Sequence, residues 1–175
     1  ITDNLGLQSI TEMIEVSGGA KAFMQSMKVK PAPYFVVVSV NASTKPQYLM
    51  ETTNKVPSIE ETINAMSDVQ LHRNNANTIA QFKQSMRRWS QELSNDQIQV
   101  RNYFVEIDFN GIEDEERRFQ LNQIPVSLSL EREQVRELIR AGRELLFNNQ
   151  VLQQFIDDFS HNSQIHERSK PTLTE

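Results

Sequence analysis

The chain has 175 residues, 38% of them hydrophobic and 23% charged, the length and balance of a soluble globular protein with room for one core of ordinary size. Its net charge of -5 argues against nucleic acid as a partner, because that association is driven by basic surfaces that neutralise phosphates. The absence of cysteine removes disulfides and thiolate chemistry, and no apolar run is long enough to cross a bilayer. Residue 1 is Ile, not Met, so the sequence is expected to begin inside a longer protein or after a processing event.

In chain order, Ser9-Ile10-Thr11-Glu12 has capping-box spacing, with Ile10, Met13 and Ile14 on one face; it predicts a short helix to about Val16. Gly18 and Gly19 should end that helix, since glycine takes the left-handed conformation a C-cap needs. A second short helix with Ala22, Phe23, Met24 and Met27 precedes Pro31 and Pro33. Tyr34 to Val40 reads Tyr-Phe-Val-Val-Val-Ser-Val, a β-branched and aromatic run bounded by turn residues, which favours a strand. Its unbroken apolar character implies burial on both faces, as in a central strand of a parallel sheet with helices above and below.

After a polar loop, Ser58-Ile59-Glu60-Glu61 repeats the capping-box pattern. Apolar residues then recur every three or four positions from Ile59 through Ile63, Met66, Val69, Ala76, Ile79, Phe82, Met86 and Trp89 to Leu93, with no proline or glycine between. The pattern predicts one helix of about 36 residues, roughly 54 Å long, weakest at Gln70 to Asn77, where asparagines lower helix propensity. Arg101 to Phe109 alternates, Tyr103, Val105, Ile107 and Phe109 against Asn102, Phe104, Glu106 and Asp108. That alternation predicts a strand with a largely polar outer face, nearer a sheet edge than the first. Strand, long helix and strand make a crossover unit with parallel strands. Helices are expected over Glu113 to Gln123, over Glu131 to Phe147 with Val135, Leu138, Ile139, Leu145 and Leu146 on the apolar face, and over Gln150 to Phe159. From His161 the sequence turns polar and aperiodic, which predicts a flexible tail over 161–175.

Patterns that carry chemistry are few. The sequence holds no Gly-x-Ser-x-Gly elbow, phosphate-binding glycine loop, HExxH or Cys/His metal spacing. His72 falls in a polar part of the long helix, and His161 and His166 fall in the tail. His161 with Asp157 and Asp158 has the donor types of a metal site, but polar helix faces produce such groupings by chance and a solvated surface is the favoured reading. Arg87, Arg88 and Trp89 suggest an anion site with an aromatic platform. Trp89 lies on the apolar stripe and the arginines opposite it, so core and solvated face is the better reading. Glu113 to Glu116 reads as an acidic first helical turn suited to the helix dipole, not as a catalytic carboxylate pair.

Ile1-Thr2-Asp3-Asn4-Leu5-Gly6-Leu7 resembles the segment that follows the second catalytic motif of patatin-like phospholipases, where an Asp-Gly-Gly or Asp-Gly-Ala turn leads into Asp-Asn and Leu-Pro-Leu or Leu-Gly-Leu. Val40-Asn41-Ala42-Ser43, the Asp68 to Thr78 stretch, Asn122-Gln123-Ile124-Pro125 with Ser127-Leu128-Ser129-Leu130, and the helix carrying Ala141-Gly142 and Leu145-Leu146 are similar to the C-terminal portion of bacterial members. The resemblance implies an α/β fold, the C-terminal part of a patatin-like three-layer domain over 1–160, with parallel strands joined by the long helix and a helix-rich C-terminus. It implies a lipid acyl hydrolase with a Ser-Asp dyad whose nucleophile and Asp both lie upstream of Ile1, so this chain alone would be inactive. Asp3 would be the second, non-catalytic aspartate, bracing with Asn4 the turn that holds the missing Asp. No cofactor or metal is implied. The expected partners are the N-terminal half of the same protein, a lipid or membrane surface met through the complete enzyme, and a second copy of the chain. A bacterial origin follows from the same likeness, with the cell envelope or a membrane reached through the upstream part as one location it allows. The alternative is a non-catalytic interaction module sharing the patatin-like fold.

Overall fold

The computed structural model describes residues 5–30, 32–41, 56, 58–125, 127 and 129–168. They form α1 (Leu7–Val16), α2 (Ala20–Ser26), β1 (Tyr34–Asn41), α3 (Ile59–Leu93), β2 (Arg101–Asp108), a 3₁₀ turn (Phe109–Gly111), α4 (Glu115–Asn122), α5 (Arg132–Phe147) and α6 (Gln150–Arg168). β1 and β2 pair in parallel as a two-stranded sheet. The expected crossover is present, made by a single α3 of 35 residues with no break at the asparagines. The chain divides into two compact units, Ile1–Val36 with Ser43–Asn102, and Val37–Ala42 with Tyr103–Glu175.

In the first unit, α1 and α2 pack on α3. α1 starts at Leu7 behind Gly6, which is left-handed at φ 67, with no side-chain cap. The expected capping box is therefore displaced: Ser9 lies inside the helix, because the glycine turn begins the helical hydrogen bonding three residues earlier. The C-terminus follows expectation. Gly18 N–H donates to the Glu15 carbonyl at 3.0 Å and Gly19 N–H to the Ile14 carbonyl at 3.1 Å, with both glycines at positive φ, which is the Schellman arrangement. Gly19 also opens α2, whose first two N–H groups, Ala20 and Lys21, donate to the Glu92 carboxylate at 3.1 and 3.0 Å. A Cβ on Gly19 would stand 2.9 Å from a Glu92 oxygen. The core here is Leu7, Ile14, Ala20, Phe82, Met86, Trp89 and Val100. Trp89 meets Phe82 edge-on at 5.7 Å and Phe35 at 6.1 Å between ring centroids.

The second unit has an aliphatic core of Val105, Ile107, Ile112, Leu121, Ala141 and Leu145. Gly111 lets it close: a Cβ there would stand 2.7 Å from Leu145 Cδ2. α4 is capped by Asp114, whose side chain accepts from Arg117 N–H at 3.0 Å. The Gln134 side chain accepts from the Glu131 N–H at 2.9 Å before α5. α6 is capped by Asn149, which accepts from Val151 and Leu152 N–H at 3.0 and 3.2 Å. Asn149 also donates to the Glu106 carbonyl at 3.0 Å.

Three further expectations are corrected. β1 is not buried on both faces: only Ser39 is fully buried, and Val38 and Val40 are 48% and 67% exposed. β2, expected to be the more edge-like strand, is the more buried one. Tyr103, Phe104, Val105 and Ile107 are all buried, because Tyr103 stacks against Phe155 of α6 while Val105 and Ile107 enter the aliphatic core. Finally, 161–168 continues α6 as helix, so the periodicity lost in the side chains does not end the backbone hydrogen bonding; 169–175 lies outside the described residues.

Candidate functional site

Asp3 and Asn4 lie outside the described residues. The segment that contains them is described from Leu5 onward, where Gly6 makes its left-handed turn and Leu7 is buried. His161, Asp157 and Asp158 do not form a common centre. His161 Nδ1 is 2.9 Å from the backbone carbonyl of Asp157, and the Asp158 carboxylate accepts a hydrogen bond from the Tyr103 hydroxyl. The side chains of His72 and His166 are outside the described residues. Among the described residues no group of three or more His, Cys, Asp or Glu is placed to hold a metal ion, and no helix is long and apolar enough to cross a membrane.

The Arg87-Arg88-Trp89 triplet divides as the helical stripe requires. Trp89 is 1% exposed and the two arginines face outward. Arg88 pairs with Glu15 of α1, and the same carboxylate accepts from Trp89 Nε1 at 3.3 Å. Glu15 and Glu92 thus tie the α1–α2 hairpin to the C-terminal half of α3 from two sides. Neither tie is visible locally in the sequence, since the partners lie 71 to 74 residues apart.

Between these ties lies an apolar cavity of about 120 Å³. Its floor is Ile14, Ala20, Trp89 and Val100, all buried. Its mouth is formed by Phe23, Met24, Tyr34 and Leu93, partly exposed, and by Ala32, exposed. Among the described residues no charged side chain lines it.

The second unit has a different feature. The Arg117 guanidinium reaches Glu144 at 2.5 Å and Glu137 at 3.7 Å, and its Nη2 is buried with no hydrogen-bond partner among the described residues. The hydrogen bond that Arg117 donates to Glu144 holds the guanidinium above its ordinary value; burial opposes this, and the charges of Glu144, Glu137 and Asp114 add to it. Beside this cluster, a groove of about 280 Å³ between α4 and α5 is lined by Gln120, Gln123, Glu133, Gln134 and Glu137 over Leu121 and Ile124. Its acids and amides match no reactive constellation. Glu115 and Glu116 occupy the first turn of α4, as the sequence suggests, where they suit the helix dipole.

No family model matches the chain, and neither a curated protein nor a solved structure matches it. The class that the fold defines is a mixed α/β protein with a parallel strand pair joined over a long helix.

Proposed function

We propose that this chain is the C-terminal scaffold of a patatin-like lipid acyl hydrolase, inactive alone and completed by an N-terminal half that carries the nucleophilic serine and the dyad Asp. The observation that supports it most is β1. A parallel pair is ordinarily covered on both faces, and a two-stranded sheet is marginal by itself. Here the more apolar of two parallel strands leaves Val38 and Val40 in the open, the surface expected where further strands and a covering layer join. The ordered patatin-like segments give that missing layer a chemical identity. In this reading Asp3 and Asn4 brace the dyad turn, no cofactor is required, and lipid or membrane contact comes through the completed enzyme.

An ester assay tests it. Residues 1–175 alone should hydrolyse p-nitrophenyl esters and phospholipid no faster than buffer, because without a serine held beside a base there is no activated nucleophile. The same chain extended upstream through a glycine-rich loop, a Gly-x-Ser-x-Gly serine and the Asp before Ile1 should turn them over, and alanine at that serine should abolish the reaction. Asp3→Ala in the extended protein should cost about 1 kcal/mol of stability, one side-chain hydrogen bond, with turnover retained. Loss of turnover at unchanged melting temperature would assign the base role to Asp3 instead. An extended protein inert on every ester would favour the interaction-module reading, which the exposed Ile59, Ile63 and Met66 of α3 also suit.

A further inference from the structure

We propose that the cavity beside Trp89 is a binding site for a small uncharged apolar group, about the size of a benzene ring or a short alkyl chain. Protein interiors are packed so closely that voids larger than a water molecule are few, and an apolar void does not fill with water, which finds no partners there. Such voids take apolar guests: a cavity of ~150 Å³ lined by Leu, Ile and Phe binds benzene or xenon. The space here, about 120 Å³, is of the same order and more aromatic, with Phe23, Tyr34, Phe35 and Trp89 among its walls.

The indole N–H and the carboxylate nearest it are already engaged, and this narrows the ligand class. Trp89 Nε1 donates to Glu15, so the indole offers the cavity ring surface and no free donor. The Glu92 carboxylate is occupied by the Ala20 and Lys21 N–H groups. A charged guest would lose its hydration and meet no charged side chain among the described lining residues, a cost of several kcal/mol for an ion. An uncharged hydrocarbon group loses nothing and gains contact area. Entry is open, because the floor residues are buried while Met24, Phe23 and Leu93 at the mouth are partly exposed. The walls keep their shape because the hairpin that carries Ile14, Ala20 and Met24 is fixed by the glycine turn and by Glu92. Binding of this kind is independent of ester hydrolysis and is measured on residues 1–175 alone.

Trp89 is the single tryptophan of the chain, so its fluorescence reports the site directly. Titration with 1-bromobutane, whose bromine quenches on contact, should give saturable quenching and raise the melting temperature. Ala20→Leu, which fills the floor, and Ala32→Phe, which narrows the exposed mouth, should each weaken that quenching at least tenfold while circular dichroism stays unchanged. Iodide, excluded by charge, should quench little in all three proteins. The proposal fails if quenching by 1-bromobutane rises linearly without saturation in the parent chain. It also fails if saturable quenching survives unchanged in Ala32→Phe, which lies at an exposed position and should fold like the parent.

Discussion

The two halves of α3 carry the same repeating apolar pattern and live in different surroundings. In the N-terminal half, Ile59, Ile63, Met66 and Val69 are 57% to 81% exposed; in the C-terminal half, Phe82, Met86 and Trp89 are at most 1% exposed. The strands repeat the lesson, since Val40 of the unbroken run is open while Val105 of the alternating run is fully buried. A repeat of three and four residues fixes which side chains share a face. It does not say whether anything covers that face, and at Trp89 the cover is the α1–α2 hairpin, held there by Glu15 and Glu92.

The comparison breaks or sharpens under substitution. Trp89→Ala should have the largest effect, about 3–5 kcal/mol by chemical denaturation, since it empties the aromatic core of the first unit; a loss below 1 kcal/mol would mean that this half of α3 is no better packed than the other. Val105→Thr should cost about 1–3 kcal/mol by placing a hydroxyl among aliphatic side chains, measured as a shift in the urea midpoint at unchanged slope. Glu92→Ala should cost about 1 kcal/mol, because it removes the acceptor for two N–H groups at the start of α2. Hydrogen exchange at the Ala20 and Lys21 amides should quicken before exchange in α3, and uniform quickening would show that the tie supports the whole unit instead. Ile63→Ala and Val40→Thr should have the smallest effects, within about 0.5 kcal/mol. A large loss at Ile63 or Val40 in the isolated chain would reveal that a second copy already covers that surface, and sedimentation of the parent chain would show the association directly.

Much of the chain was legible residue by residue: the helix stop at Gly18 and Gly19, both strands to within one residue, the start of α3 after Ser58, and the parallel crossover. These depend on local stereochemistry, because positive φ at glycine, β-branched runs and an uninterrupted helical period act within a few residues of themselves. The tertiary structure alone decided which apolar faces are covered, that β2 is more buried than β1, that α6 extends to Arg168, and that Glu15, Glu92, Trp89 and the apolar cavity form one site. Apart from the reach of α6, each of those depends on chain segments 40 or more residues apart meeting in space, and burial is a property of the pair that meets. No single segment carries it in its own sequence.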